Sequence, residues 1–160
     1  MTFWNIISGN GYEVIFCGVL AAVTAQVLKL FTFAFVNKKF NFKIFTTTGG
    51  MPSSHSAGVM AVATSVGLVA GFDSLFFAIA LAQALITMYD AAGIRRAAGK
   101  QAACLNKIMD DFYKHDVTAI GGKLKELLGH TPFEVFVGSA LGIVLTAYMH
   151  FSIISQANPF

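Results

Sequence analysis

The fold of this chain is decided by residues 54–92, which read SHSAGVMAVATSVGLVAGFDSLFFAIALAQALITMYDAA. Two apolar runs lie in this stretch, at about Ser54–Phe72 and Leu75–Ala92, and each has nearly the length that a helix needs to cross a bilayer. The turn between them, Phe72-Asp73-Ser74, is so short that the two helices must form an antiparallel hairpin. The stretch therefore predicts two adjacent membrane spans.

Two further apolar runs flank the hairpin, at about residues 11–36 and 133–154. The chain is 56% hydrophobic and only 12% charged, a composition too apolar for an ordinary soluble domain. We therefore expect all 160 residues to form a single all-α membrane domain, a four-helix bundle built from these two runs and the hairpin. The N-terminus has neither a basic stretch nor a small-residue cleavage pattern, so we interpret the first run as a permanent span.

A polar stretch separates the third and fourth spans and predicts a cytoplasmic helical insertion at about residues 98–128. Apolar and charged side chains recur there on opposite faces of a helix: Ala102, Leu105, Met109 and Phe112 against Lys100, Lys107 and Asp111. This pattern is typical of an amphipathic helix that lies at the membrane interface or extends the third span.

Two pairs of small residues predict where helices approach each other closely. Gly67 and Gly71 lie four apart in the second span, and Gly138 and Gly142 lie four apart in the fourth. Small residues at this spacing remove the side chains that would keep two helix backbones apart. The same faces would permit a homodimer in the membrane.

Every Lys and Arg residue falls on one side of the predicted membrane. The eleven are Lys29, Lys38, Lys39, Lys43, Arg95, Arg96, Lys100, Lys107, Lys114, Lys123 and Lys125. Cytoplasmic loops carry such an excess of basic residues, so both termini should face away from the cytoplasm. The opposite side carries Glu13, Asp73 and His150, and we interpret His150 as interfacial. We expect an integral protein of a bacterial-type cytoplasmic membrane whose basic side faces the cytoplasm and binds an anionic, phosphorylated substrate, not a nucleic acid.

Candidate binding residues open the second span, within the stretch GGMPSSH at residues 49–55. Gly50 permits a positive φ close to a ligand, and Ser53 and Ser54 can cap the helix or donate hydroxyl hydrogen bonds. A helix start favours an anion, and His55 would stand on the first turn, able to deliver a proton. The structural alternative is a glycine-rich turn with a capped helix.

A second cluster closes the third span. Asp90 would pair with Arg95 or Arg96, and the paired guanidinium would face phosphate oxygens with its planar fork of donors. The alternative is that the arginines only anchor the helix on the cytoplasmic side of the membrane.

A third cluster opens the fourth span. His130 and Glu134 lie four apart, so the carboxylate would accept the imidazole N–H and leave the other ring nitrogen as a nucleophile or base. The alternative is a plain helix start, in which Thr131 is the cap and Glu134 complements the positive helix end.

Alternating helix directions bring these clusters to one membrane level. His55 opens the second span, the arginines close the third, and His130 opens the fourth, while Lys29 approaches from the first span. Incidental residues would not be expected to agree in this way, so the pattern favours a shared site for a phosphate group.

Three segments resemble the divergent branch of the type 2 phosphatidic acid phosphatase superfamily, which is related to the vanadium-dependent haloperoxidases. They are GGMPSSHSA at residues 49–57, YDAAGIRRAAGKQA at residues 89–102 and LKELLGHTPFEV at residues 124–135. The resemblance implies metal-independent hydrolysis of a phosphomonoester or diphosphate, without a cofactor. The implied substrate is a lipid such as phosphatidate, phosphatidylglycerophosphate or a polyprenyl phosphate.

The resemblance also implies roles for single residues. His130 would be the nucleophile that forms a phosphohistidine, with Glu134 as its orienting partner, and His55 would protonate the leaving oxygen. Lys29 and one arginine, Arg95 or Arg96, would hold the phosphoryl oxygens.

The sequence departs from the superfamily pattern, and two other hypotheses stay open. Val36 stands where the first motif has arginine, Glu134 replaces aspartate, and the separation of Arg96 from His130 is much longer than in the family motif. These departures favour a non-catalytic lipid-phosphate binder, carrier or scaffold that uses the same basic pocket. A third hypothesis is metal-dependent phosphotransfer, as in CDP-alcohol phosphotransferases; its candidate residues are Asp90, Asp110, Asp111 and Asp116.

Overall fold

The structure, a computed structural model, describes residues 3–38, 50–112 and 129–157, without the side chains of residues 95, 110–112 and 157. In these three ranges the secondary structure is entirely helical. The helices are α1 (Phe3–Ile7), α2 (Gly11–Asn37), α3 (Ser54–Ala70), α4 (Leu75–Ala92), α5 (Ile94–Phe112) and α6 (Pro132–Ala157). The all-α prediction is confirmed for the described part of the chain.

Three helical segments are long and apolar enough to cross a membrane: Gly11–Asn37, Leu75–Met109 and Pro132–Gln156. α3 is apolar as well, but its 17 residues make it shorter than these. At 1.5 Å per residue it is about 25 Å long, against a hydrocarbon core of about 30 Å. The predicted second span therefore ends earlier than expected, because Gly71, with a φ of +94°, terminates α3 before Phe72.

Two other boundaries differ from expectation. α1 precedes the first span and has no counterpart in the prediction. α5 begins at Ile94, directly after Gly93, and so it starts earlier than the insertion expected at residues 98–128. Residues 113–128 lie outside the described residues, as do Lys39, Lys43, Lys114, Lys123 and Lys125.

α3 lies at the centre of the bundle, in contact with α2, α4 and α6. Its contact with α2 is made by small side chains: Ala57 and Ala61 pack against Ala21 and Ala25, and all four are fully buried. Helices in lipid gain little from the hydrophobic effect, so close van der Waals packing of such faces holds them together.

The closest approach is between α3 and α6. A Cβ added at Gly138 would lie 2.4 Å from the carbonyl oxygen of Ser53, and one added at Gly142 would lie 2.3 Å from that of Ala57. The close packing predicted for this glycine pair is therefore confirmed. The pair Gly67 and Gly71 acts differently, because it makes room for the Phe72 ring and for the positive φ of the turn.

A buried pair joins α2 and α6 at the end of the bundle away from His55. Glu13 is fully buried and His150 is 7% exposed, and the imidazole Nδ1 lies 2.5 Å from the carboxylate. The backbone N–H of Gly9 donates to the other carboxylate oxygen at 2.7 Å. This carboxylate, far away in sequence, holds the ring inside the bundle on the side that the sequence predicted for both residues, and the interfacial level of His150 stays a prediction.

We expect Gly142→Val to lower the free energy of unfolding by roughly 1–3 kcal/mol, because the new side chain forces α6 away from the backbone of α3. Thermal denaturation of the purified protein in detergent measures the change. Val144→Leu is the control, since Val144 is 67% exposed on the same helix. An unchanged midpoint in Gly142→Val would contradict the backbone contact.

Candidate functional site

Hydrogen bonds to backbone carbonyls join four segments at one end of the bundle, which we call the basic end. The N–H of His130, before α6, donates to the carbonyl of Ala91 in α4 at 3.1 Å. The N–H of Ser53, before α3, donates to the carbonyl of Glu134 in α6 at 3.2 Å. The hydroxyl of Thr32 in α2 donates to the carbonyl of Met51 at 2.7 Å. The convergence expected from alternating helix directions is present in the described residues.

The two predicted catalytic histidines lie side by side at the basic end. The ring centroids of His55 and His130 are 6.4 Å apart, and the ring planes meet at 73°. His130 is 3% exposed, whereas His55 is exposed on the first turn of α3.

Lys29 reaches the same end from within α2. It is only 3% exposed, and its aliphatic stem lies along Gly50, where an added Cβ would be 3.4 Å from the Lys29 Cγ and Cδ atoms. Gly50 has the predicted positive φ, +87°. The carboxylate of Glu134 attracts the ammonium group electrostatically. A buried lysine in an apolar helix is costly unless it is balanced in this way, and such residues are typical of functional sites.

Glu134 forms hydrogen bonds with Thr131 at the start of α6. Its carboxylate accepts the backbone N–H of Thr131 at 3.1 Å, and the Thr131 hydroxyl accepts the N–H of Glu134 at 3.2 Å. This reciprocal pattern is a capping box at the start of α6. The motif Thr-x-x-Glu was visible in the sequence and agrees with the helix-start interpretation of Glu134, while the orienting of His130 by Glu134 stays a prediction.

The two predicted serines differ in burial. Ser53 is fully buried and caps α3: its hydroxyl oxygen accepts the N–H of Ser56 at 3.4 Å and lies 3.0 Å from the Ser56 hydroxyl. Ser54 is half-buried beside His55 on the first turn of α3. Of the two, Ser54 alone is partly exposed.

The arginine cluster is described only in part. Asp90 is half-buried in the last turn of α4, and Arg96 is exposed in the first turn of α5. The side chain of Arg95 lies outside the described residues, so its pairing with Asp90 stays a prediction. The side chains of Asp110 and Asp111, and the whole of Asp116, are also outside them.

Comparison with known proteins assigns the family. Residues 11–145 match the model of the Divergent PAP2 family. The chain belongs to this family. An uncharacterized membrane protein of Bacillus subtilis (strain 168), YuiD, is 46% identical over 136 residues, which cover 79% of this chain and 86% of YuiD. No solved structure gives a significant match.

Membership of the Divergent PAP2 family confirms the resemblance found in the sequence. The matched region runs from the start of α2 into α6 and therefore includes Lys29, His55, His130 and Glu134. His150 lies beyond it. With its membrane-length apolar helices and a membrane protein as a relative, the chain is a membrane protein.

We expect Glu134→Gln to lower the free energy of unfolding, because the buried Lys29 loses the attraction of the Glu134 carboxylate. The glutamine keeps an oxygen that can accept the Thr131 N–H. Lys29→Met in the same background should recover most of the loss, since no buried charge is then left unbalanced.

Denaturation in detergent measures all three variants, and Thr131→Val isolates the capping hydroxyl, whose loss should cost about 1 kcal/mol. If the double variant is as unstable as Glu134→Gln alone, Glu134 does not balance Lys29.

Proposed function

We propose that this chain is a membrane phosphatase that hydrolyses a phosphomonoester or diphosphate of a lipid without a metal ion. The reaction passes through a phosphohistidine at His130. The single observation that carries the proposal is the 6.4 Å approach of two imidazoles from separate helices at the basic end. Family membership supports the same reaction class.

The proposed topology is a four-span bundle with its basic end on the cytoplasmic side. Glu13 and His150 meet at the opposite end of the bundle, as expected if the first and fourth spans run in opposite directions. The described basic residues Lys38, Arg96 and Lys100 are exposed and belong to the side that the positive-inside rule assigns to the cytoplasm. α3 spans in this scheme because a bilayer can thin locally around a short apolar helix.

Two steps make up the reaction. A ring nitrogen of His130 attacks phosphorus; the P–N bond forms as the bond to the lipid oxygen breaks, and His55 gives its proton to the departing oxygen. Water then attacks the phosphohistidine and passes a proton to His55. The P–N bond breaks, inorganic phosphate leaves, and both histidines return to their starting states.

Lys29 supplies charge to the transition state. Its ammonium group is buried near Glu134 at the basic end, where a preorganised positive charge acts more strongly than it would in water. Arg95 or Arg96 completes the oxyanion site in this proposal. Glu134 acts through Lys29 and the start of α6, and is therefore a positioning residue.

The test is release of inorganic phosphate by the purified protein in detergent, with phosphatidate, phosphatidylglycerophosphate, polyprenyl phosphate and polyprenyl diphosphate as substrates. We expect His130→Ala to abolish release and vanadate to inhibit it. His55→Ala should slow release by roughly 10²–10⁴-fold, the usual contribution of a general acid.

Charge at the site is tested by a matched pair of variants. Lys29→Met should lower kcat by roughly 10²–10³-fold, as when one oxyanion donor is lost. Lys100→Met removes the same charge from an exposed position on α5 and should have little effect. Release that persists in His130→Ala would refute the phosphohistidine, and release that stops in excess chelator would favour the metal-dependent alternative.

A second candidate function is lipid-phosphate binding without turnover, as a carrier or scaffold. The burial of His130 favours it, because a nucleophile that is 3% exposed must be uncovered before it meets phosphorus. Tight binding of a lipid phosphate, with no release from any of the four substrates, would decide for the binder.

A further inference from the structure

A narrow apolar groove lies between α2, α3 and α4, with a volume of about 500 Å³. Its walls include Ala22 from α2, Val59 and Val62 from α3, and Ala80 from α4. The groove reaches the outside of the bundle, since Val19 on its α2 side is 58% exposed. It is therefore open to the hydrocarbon of the surrounding membrane.

One residue belongs both to the groove and to the candidate site. His55 lines the groove and its ring also faces His130 across 6.4 Å. From His55 to Val62 the groove follows α3 for about 10 Å, at 1.5 Å per residue. One leaflet contributes half of a hydrocarbon core of about 30 Å. The groove thus runs from the basic end through most of the depth of one leaflet.

We propose that the groove holds one hydrocarbon chain of the substrate while its phosphate lies at His55 and His130. This inference rests on the proposed function and adds the substrate class: a phosphate ester whose first chain segment is flexible and unbranched enough to lie along α3. The phosphate of such a molecule would lie at His55, and its hydrocarbon chain would lie against the apolar residues that follow along α3.

The volume of the groove suits a hydrocarbon chain. A volume of about 500 Å³ lies within the ~300–1,000 Å³ range of small-molecule sites.

The test is photo-crosslinking of purified protein in detergent by dodecyl phosphate that carries a diazirine near the chain end. We expect crosslinks at groove residues distant from His55, such as Val62. Ala80→Phe should reduce them at least 5-fold, because the new ring occupies the groove. Ala82→Phe is the matched control: it adds the same ring to an exposed position of α4 that does not line the groove.

Val59→Phe blocks the groove from α3 and provides a second variant if Ala80→Phe does not fold. The same probe without its phosphate, a diazirine dodecanol, should label the groove at least 5-fold less. Equal labelling by both probes, labelling outside the groove, or no effect of either blocking variant would overturn the inference.

Phosphate release from a series of alkyl phosphates separates this inference from the proposed function. Ala80→Phe should lower kcat/KM for dodecyl phosphate at least 10-fold and leave that for butyl phosphate unchanged. Phosphate release that does not depend on chain length would refute the binding of the hydrocarbon chain in the groove, but not the proposed phosphatase activity. Groove labelling without any release would refute the phosphatase and leave the lipid site.

Discussion

The arrangement of the basic end depends on the contact between the backbones of α3 and α6. Gly138 and Gly142 bring α6 so close that any side chain there would collide with the carbonyl oxygens of Ser53 and Ala57. A contact made by backbones has little freedom to slide, because the glycines and carbonyls must stay in register. That register places the start of α3 against the start of α6 and so sets the distance between His55 and His130.

Two carboxylates in the bundle, those of Glu134 and Glu13, each interact with more than one group. Glu134 caps α6 through Thr131 and also balances Lys29. Glu13 holds the turn at Gly9 and also binds His150. Burying a charge in an apolar bundle is costly, so a carboxylate that satisfies several donors contributes more than separate carboxylates would. Polar contacts thus hold the two ends of the bundle together, and the packing of alanines and glycines holds its middle together.

Much of this structure could be predicted from the sequence, because apolar runs predict which segments are helices in a membrane and basic loops predict how those helices are oriented. The hairpin, the direction of each helix and the approach of His55 to His130 follow from those patterns. The partners of Glu13 and Glu134 did not follow, because a sequence does not show which distant side chain lies opposite. For Glu134 the local capping motif predicted the contact with Thr131, whereas nothing near His150 in the chain pointed to Glu13. The end of α3 depended on the backbone angle at Gly71, which an apolar run does not reveal.

The placement of ionisable groups has a consequence for biosynthesis. Glu13 and Lys29 both lie on α2, whereas His150 and Glu134 lie on α6, which is synthesised later. The partners of both groups are therefore synthesised after α2, and they reach it only when α6 packs against it. The same arrival delivers His130, so completion of the bundle and assembly of the histidine pair are one event during synthesis.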